Sequence, residues 1–431
     1  MPHARRIARR GRVAPSLRAA MRAAAGIAFA LAMATGQAQA GDPPATAAQR
    51  SAANLFVVVE AAGAALLLID VDAPAAPRRF ALHAPLRSAA AFTRDARHAY
   101  LLATDGWVGK LDLERLEVVA QTRVDAGARD LALSSDGRVV AVADARPHTL
   151  ALFDAELRPL RTLAVADVEG RRASGVAALH DAPARRVFVA VLADVPELWE
   201  VSYDPAAEDV PMGKIHDFQF REGAFVPGYL NPRRTPVPAP LLALQFSADQ
   251  SELLGERAGA PPDLVNLDVR KRYAAFAAAE GAALRCAASW TQGGGTLLAL
   301  PNPARAEIAL VDARDWQLRA RVPAPGPGRF AATHDALPHL WVDAGDGRRL
   351  MRIDKRTLAA VGGLVDAPGS GITQLEFDRD ARVALAPLRD ADAVAVVDAS
   401  TLAERSRVPA RRPLAVYHVQ QRAADRRGQC P

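Results

Sequence analysis

The chain has 431 residues, of which 50% are hydrophobic and 24% are charged, and its formal net charge is +6. The first 40 residues contain seven arginines and no acidic residue, so the remainder carries a formal charge of −1, which is +6 minus +7. A nucleic-acid-binding protein would need a basic face on its folded domain, and this charge distribution does not indicate one. The absence of CxxCH and CxxC motifs excludes a covalently attached c-type haem and a CxxC zinc or redox site.

Residues 1–40 are predicted to be a cleaved signal peptide. Arginines precede the apolar stretch AAAGIAFALAMA, and the small residues AQA at positions 38–40 resemble a cleavage site. The apolar stretch is too short for a comfortable membrane span, so no transmembrane segment is expected after processing. Apolar residues do not closely follow the paired arginines, which favours the Sec route over twin-arginine export. We therefore expect a periplasmic protein in which residues 41–53 form a linker.

Between residues 55 and 419 the chain repeats one pattern, in which a strand ends in a hydrophobic residue followed by aspartate, and a turn leads to the next strand. The repeat is 42 to 44 residues long, which is the range of four-stranded propeller blades. One gap of 114 residues contains a further unit, WEVSYD, which ends at Asp204. The other closing aspartates are Asp70, Asp112, Asp154, Asp268, Asp312, Asp354 and Asp398.

This repeat predicts an all-β fold, an eight-bladed β-propeller over residues 54–420, with almost no helix and a flexible tail at 421–431. The strand around residues 55–59 should close the ring against the C-terminal blade, because closure removes the exposed edges of an open array. In a propeller, ligands are expected in the channel and the loops of one face.

The two cysteines leave two alternatives open. Export to an oxidising compartment permits a disulfide between Cys286 and Cys430. Otherwise Cys286 is a buried thiol and Cys430 is a free thiol in the tail.

The fourth unit carries an insertion at residues 214–240, KIHDFQFREGAFVPGYLNPRRTPVPAP. Long insertions in a compact repeat domain are usually functional loops or disordered segments, and the aromatic residues here argue against disorder. The insertion contains Arg221, Arg233 and Arg234. It is either part of a binding site or a loop that crosses one face with its arginines in solvent.

Several segments occur in one order along the chain: HDFQFREGAFVPG, NPRR, VNLDV, LPNP, GPG, TH, HLWVDA, IDKRTL and the C-terminal PLAVYHV. Together they resemble the haem d1-binding propeller of the cytochrome cd1 nitrite reductases, and above all the accessory proteins that mature haem d1. The similarity covers nearly the whole chain after the leader. No single motif is specific, so the resemblance depends on their order and on the number of blades.

The resemblance implies that the ligand is haem d1 or dihydro-haem d1. The carboxylates of such a tetrapyrrole suit bidentate pairing with arginine. His334 matches a family histidine and would serve as acid/base group and cofactor contact, because imidazole titrates near neutrality; alternatively, it hydrogen-bonds Asp335. The arginine candidates are Arg171, Arg172, Arg221, Arg233 and Arg234. Of these, Arg172, Arg221 and Arg233 are expected to converge with His334 on one face around the channel mouth.

The chain also departs from the family pattern. The axial histidine of the family should precede the strand at Ala90, where this chain has Arg87 and Ser88. His83 could bind the metal in its place only if the loop is rearranged. A second family histidine is missing near Ala283. With these groups and the c-type haem absent, nitrite reduction is not expected.

Two functions remain as alternatives. The first is a periplasmic haem d1-type protein that acts in maturation or delivery of the nitrite reductase cofactor, with a c-type cytochrome or the reductase itself as partner. If it is an enzyme, it is an oxidoreductase acting on a haem d1 precursor. The second is a degenerate propeller that has lost its haem and serves as a binding or assembly platform. A metal-dependent hydrolase or lyase has little support, because no His and carboxylate cluster recurs at metal-ligand spacing.

Overall fold

The computed structural model describes residues 54–72, 77–87, 90–146, 148–217, 222–345, 347–369 and 371–424. The predicted signal peptide, the predicted linker and residues 425–431 of the predicted tail lie outside the described residues, as do Ser88, Arg221 and Cys430. Within the described ranges, no helix is both long and apolar enough to cross a membrane.

The described strands form eight four-stranded antiparallel sheets, which are the blades of a β-propeller, together with one two-stranded hairpin. The strands of blades 1 to 4 and the hairpin are, in chain order, β1 (Leu55–Glu60), β2 (Ala65–Asp70) and β3 (Arg78–Ala81); β4 (Ala91–Phe92), β5 (His98–Leu102), β6 (Trp107–Asp112) and β7 (Glu117–Arg123); β8 (Ala128–Leu133), β9 (Val139–Asp144), β10 (Thr149–Asp154) and β11 (Pro159–Ala164); β12 (Val176–Ala182), β13 (Val187–Leu192), β14 (Glu197–Ser202), the hairpin β15 (Val210–Asp217) and β16 (Glu222–Val226), and β17 (Pro232–Pro236).

Blades 5 to 8 follow the same order, each starting at its innermost strand. Their strands are β18 (Leu241–Phe246), β19 (Glu252–Arg257), β20 (Ala260–Asn266) and β21 (Lys271–Ala275); β22 (Ala288–Gln292), β23 (Gly295–Asn302), β24 (Glu307–Asp312) and β25 (Gln317–Pro323); β26 (Ala331–Ala332), β27 (His339–Asp343), β28 (Arg349–Asp354) and β29 (Ala359–Asp366); β30 (Glu376–Phe377), β31 (Val383–Leu388), β32 (Ala393–Asp398) and β33 (Glu404–Pro409). The last strand is β34 (Pro413–His418), and a short helix α1 (Val419–Ala424) follows it.

The C-terminal strand closes the ring. β34 pairs with β1, with Val57 opposite Tyr417 and Val58 opposite Val416, so blade 1 has the order β3-β2-β1-β34. The predicted pairing of the N-terminal strand with the C-terminal end of the chain is confirmed. The last strand of the chain is thus the innermost strand of the first blade.

The aspartate that ends the third strand of a blade organises the turn to the fourth. Asp112 Oδ1 accepts hydrogen bonds from the backbone N–H groups of Glu114 and Arg115, a local pairing typical of turn aspartates. In blade 5 this position belongs to Asn266, which accepts the N–H groups of Asp268 and Val269. Asp268, predicted as the closing residue, lies beyond the strand. Equivalent hydrogen bonds occur at Asp154, Asp354 and Asp398.

The hydrophobic core consists of layers between neighbouring blades. In β5, Leu101 packs toward blade 1 while Tyr100 and Leu102 pack toward blade 3. Successive side chains of a strand point to opposite faces, so a strand buried on both faces needs an uninterrupted apolar run. This explains runs such as VVAVA in β9. Each layer between blades holds the two sheets on either side of it.

The insertion of the fourth unit differs from a simple loop. Its first part forms the hairpin β15–β16, and its NPRR segment enters β17, which pairs with β14 as the fourth strand of blade 4. Cys286 is disulfide-bonded, so the alternative of a buried free thiol at this residue is wrong. The helical elements that the structure describes are α1 and short 3-10 segments such as Ala277–Ala279 and Leu284–Cys286.

Candidate functional site

A cavity of about 1320 Å³ occupies the central channel. Its wall is formed by the inner strands β4, β8, β12, β18 and β34, by the residues that precede some of them, and by turns between the second and third strands of blades 3, 4 and 8. The residues that precede the inner strands and the turns between second and third strands both lie at the end of the channel where the inner strands begin. We call that end of the channel the front face, and the end where the inner strands finish the back face.

Among the described residues, the cavity wall carries more arginine than aspartate. The arginines are Arg87, Arg129, Arg146, Arg285, Arg389 and Arg422, and the aspartates are Asp130, Asp181, Asp194 and Asp390. Since acidic groups do not balance this many cations, the electrostatics of the wall favour an anionic ligand.

Three of these arginines have no protein partner among the described residues. The side chains of Arg129, Arg146 and Arg389 are exposed and form no hydrogen bond or ion pair there. Arg129 is the second residue of the inner strand β8, Arg146 lies in the turn between β9 and β10, and Arg389 lies in the turn between β31 and β32. Three separate segments therefore supply free guanidinium groups to the front part of the cavity.

The other three arginines are held to different degrees. Arg87 Nη2 makes long contacts of 3.4 Å to the carbonyl oxygens of Thr104 and Ala126. Arg285 Nη2 donates to the carbonyl oxygen of Leu242 at 3.0 Å. Arg422 donates two hydrogen bonds to the carboxylate of Glu376, at 2.8 and 2.6 Å. Arg422 is thus a structural group, whereas Arg87 can still turn toward a ligand.

Asp130 is a half-buried acid in the cavity wall. Its carboxylate accepts the backbone N–H groups of Leu131 at 2.9 Å and Leu179 at 3.1 Å. Burial raises the pKa of Asp130 to about 6, although these hydrogen bonds and the charge of Arg285 act in the opposite direction. Asp130 is therefore a group that can gain or lose a proton near neutral pH.

Two histidines line the cavity. His180, on β12, packs edge-on against Phe246 with ring centroids 6.3 Å apart, and burial lowers its pKa to about 4. His148 lies in the turn before β10 with φ 64°, and its Nδ1 is buried without a hydrogen-bond partner among the described residues. Both histidines are among the described residues that line the cavity.

Arg171 and Arg172 lie at the tip of a small hairpin between β11 and β12, on the front face but outside the cavity wall. The hairpin is closed by the backbone N–H of Asp167, which donates to the carbonyl oxygen of Arg172. The side chain of Arg171 is 79% exposed and lies 4.0 Å from Glu169. Their predicted role in binding stays a prediction.

Arg233 and Arg234 belong to β17, the outermost strand of blade 4. Arg234 Nη1 donates to the carbonyl oxygen of Ala166 at 2.8 Å and to Glu197 at 2.9 Å, and its guanidinium stacks 4.6 Å from the Trp199 ring. Arg233 lies 4.0 Å from Glu208. Neither lines the cavity, and Arg221 lies outside the described residues, so their binding role also stays a prediction.

His334 follows the inner strand β26 and therefore lies toward the back face. Its Nδ1 accepts the backbone N–H of Ala336 at 3.2 Å, and its carbonyl oxygen accepts Lys355 Nζ at 2.7 Å. Burial lowers the pKa of His334. The expected meeting of His334 with Arg172 on one face is not found, because one residue follows an inner strand and the other precedes one. Its catalytic role is a prediction that the geometry leaves open.

The region expected for the axial histidine holds Arg87 and Ser88, of which Arg87 lies in the cavity wall and Ser88 lies outside the described residues. His83 lies outside that wall, where its Nε2 is 3.2 Å from Asp105 and its ring packs edge-on against Trp107 at 4.9 Å. These contacts hold it against blade 2. Sequence reasoning missed Arg129, Arg146 and Arg389, which lie near the start of an inner strand or in the turn between a blade's second and third strands.

Comparison with known proteins agrees with this architecture. A family model described as "Cytochrome D1 heme domain" matches residues 50–422. The chain is 35% identical to the dihydro-heme d1 dehydrogenase of Pseudomonas aeruginosa over 376 residues, which are 85% of this chain and 71% of that protein. It is 26% identical to protein NirF of the same organism, over 85% of this chain and 92% of NirF.

Solved structures give the same relationship. The chain matches the dihydro-heme d1 dehydrogenase NirN in complex with DHE with a TM-score of 0.75 and 33% identity, covering 86% of this chain and 76% of NirN. The resemblance drawn from the ordered segments is confirmed. The chain belongs to the cytochrome D1 heme domain family.

Proposed function

We propose that this protein binds haem d1 or its dihydro precursor in the channel cavity, and that it acts in maturation or delivery of the nitrite reductase cofactor. The observation that carries the proposal is the set of arginines without a protein partner among the described residues, Arg129, Arg146 and Arg389, in a cavity of about 1320 Å³. Guanidinium groups pair bidentately with carboxylates. Haem d1 carries several carboxylates at its edge.

The size and the donor set of the cavity suit a tetrapyrrole. Ligand pockets are typically about 300–1,000 Å³, so this cavity can enclose a large planar group. A bound tetrapyrrole would supply electron-transfer chemistry through its iron and conjugated ring. The chain's own residues orient that group, because the front-face arginines fix its carboxylate edge and the blades shield the rest from solvent.

The predicted signal peptide and the absence of a CxxCH motif support a proposed location and proposed partners. Residues 1–40 support export to the periplasm, with Sec favoured over twin-arginine export. Because the chain has no CxxCH motif, any electrons would pass to a separate c-type cytochrome or to nitrite reductase. If the protein is an enzyme, it is an oxidoreductase acting on a haem d1 precursor. The P. aeruginosa relative named as a dehydrogenase supports this choice of substrate.

A second function, a propeller that has lost its haem and acts as an assembly platform, is favoured by one observation. Arg87 and Ser88 occupy the region where the family pattern places an axial histidine. The two functions differ in whether the purified protein takes up the pigment.

The test is to mix the purified mature protein with haem d1, separate free pigment by gel filtration and record the visible spectrum. The proposal expects pigment to co-elute with the protein at one equivalent, with a spectrum that differs from free haem d1. Pigment that elutes entirely apart from the protein would favour the platform function. Haem b serves as the comparison ligand, because it has fewer carboxylates for the same arginines.

A further inference from the structure

The cavity offers a different iron ligand from those suggested by the sequence. His83 is held by Asp105 and Trp107 outside the wall, and His334 lies toward the back face with Nδ1 bonded to Ala336. Of the described histidines, His148 and His180 line the cavity. A ligand for a central metal must come from this wall.

His180 has a free ring in the cavity wall. It lies on β12 opposite Val189, and the described residues donate no hydrogen bond to either ring nitrogen and accept none from it. Its neighbours are Phe246, which packs against the ring edge, and Arg285, whose positive charge acts with burial to lower the pKa of His180. The ring is neutral at pH 7, and a neutral imidazole is the form that binds metals.

The backbone around His180 is fixed. The N–H of the preceding residue, Leu179, donates to the carboxylate of Asp130 on the inner strand of blade 3. The same residue pairs with Ala190 on β13. β12 is therefore held on both sides at this level, so the imidazole is offered from a rigid strand rather than from a loop.

The depth of His180 suits a metal at the centre of a macrocycle. Val176 begins β12 at the front face, and His180 lies four residues further along, about 13 Å deeper at the rise of a β-strand. A tetrapyrrole whose carboxylates reach Arg146 and Arg389, in the turns at the front, would extend along the channel toward the level of His180.

We propose, on the basis of the proposed function, that His180 is the axial ligand to the iron of the bound tetrapyrrole. It would take over the role that the family gives to a histidine in the region held here by Arg87 and Ser88. Arg87 then becomes a further cation for the carboxylates instead of a vacant ligand position.

His148 is the competing candidate and provides the matched control. It also lines the cavity, and its Nδ1 is buried without a partner among the described residues. However, it lies in the turn before β10, two residues from Arg146, at the level where the carboxylates would bind. We therefore expect His148→Ala to leave the iron ligation unchanged.

The experiment uses the full mature protein, haem d1 and the same pigment without iron. Wild type, His180→Ala, His180→Gly and His148→Ala are loaded with ferric haem d1, and electron paramagnetic resonance and visible spectra are recorded. The nitrogen-ligated signal should be lost in the two His180 variants and kept in wild type and His148→Ala. The two His180 variants should bind haem d1 at least about tenfold more weakly than wild type. Addition of imidazole should restore the signal in His180→Gly. Affinity for the iron-free pigment should be equal in wild type and both His180 variants, which also shows that these variants are folded.

Two other results distinguish a failure of the proposed function from a failure of the His180 assignment. If wild type binds neither pigment, the proposed function is wrong and the inference falls with it. If all proteins bind haem d1 with identical spectra, or if only His148→Ala changes the signal, the proposed function stands and the assignment of His180 is overturned.

Discussion

The carboxylate of Asp130, on the inner strand of blade 3, accepts a 3.1 Å hydrogen bond from the backbone N–H of Leu179 on the inner strand of blade 4. This bond ties two neighbouring blades together across the channel wall. It also places a half-buried acid beside His180, in the part of the channel where we propose that the tetrapyrrole iron lies.

The first prediction concerns the pH dependence of stability at Asp130. The pKa of this carboxyl is about 6 in the folded protein, against an ordinary value of 3.8 that applies to an unfolded chain. The folded protein therefore binds this proton more tightly than the unfolded chain, so the stabilising contribution of Asp130 is fully present below about pH 4 and is lost as pH rises to about 6. The shift corresponds to about 3 kcal/mol.

The test compares urea unfolding of wild type and Asp130→Asn at pH 4 and at pH 7.5. The free energy of unfolding of wild type relative to the variant should fall by about 2 kcal/mol between the two pH values, because part of the full loss has already occurred at pH 4. A constant difference would show that Asp130 is ionised alike in both states.

The second prediction concerns ring closure. Val416, on β34, is fully buried against Phe56, Val58 and Leu385. Val416→Asp places a charge in this layer and should lower the free energy of unfolding by at least about 3 kcal/mol. The matched control is Val119→Asp on the outer strand β7, where the side chain is 43% exposed and the cost should stay within about 0.5 kcal/mol. Equal effects in thermal unfolding would contradict the closure of blade 1 by β34.

The third prediction concerns the ion pair between Arg422 and Glu376, whose side chains are 17% and 5% exposed. Arg422→Ala leaves a buried carboxylate without its cation and should cost about 3 kcal/mol in the ligand-free protein. Arg407→Ala removes a similar two-bond pair with Glu404 that lies at the surface, and should cost less than about 1 kcal/mol. A smaller loss for Arg422→Ala than for Arg407→Ala, measured by urea unfolding, would show that the buried pair does not stabilise the fold.

The blade architecture could be predicted because its signals are local. An aspartate such as Asp112 serves its own turn, and a run such as VVAVA in β9 reflects burial on both faces of one strand. These features recur with the blade, so the sequence shows the period. Asp268 shows the limit of this reasoning, since the turn in blade 5 is organised by Asn266 instead.

The candidate site could be predicted only in its chemistry. Arginine was expected as the anchor, but Arg129, Arg146 and Arg389 come from turns and strand starts on blades 3 and 8, and no local motif connects them. Arg234 was predicted as an anchor because it lies in the insertion of the fourth unit, yet its place in β17 directs it to Glu197 and Trp199. Which arginines line the channel depends on how the blades are arranged around the closed ring, and local sequence patterns do not show this arrangement.

The fourth prediction is that the isolated protein does not reduce nitrite. The chain has no CxxCH motif to attach an electron-accepting c-type haem, and Arg87 and Ser88 stand in the region where the family pattern has its axial histidine. After loading with haem d1 and addition of an artificial electron donor, nitric oxide should not form above the rate of the pigment alone. Steady turnover that is lost in His334→Ala would place this chain among the nitrite reductases.

The last prediction concerns the anchors of the tetrapyrrole. Each charge-assisted hydrogen bond contributes roughly 1.5–3 kcal/mol, so the double variant Arg129→Ala/Arg389→Ala should bind haem d1 more than about tenfold more weakly than wild type. The matched control is Arg171→Ala/Arg172→Ala, which removes two exposed arginines from the hairpin tip outside the cavity wall. Unfolding curves of both variants check that the propeller is intact.

The measurement that tests the channel site most directly is the dissociation constant of haem d1, titrated by visible absorption, in these three proteins. We predict a large loss of affinity for Arg129→Ala/Arg389→Ala and a change of less than about threefold, under 1 kcal/mol, for Arg171→Ala/Arg172→Ala. Undiminished binding by the first variant together with loss of binding by the second would contradict the channel site. The pigment would then bind at Arg171 and Arg172, in the hairpin between β11 and β12.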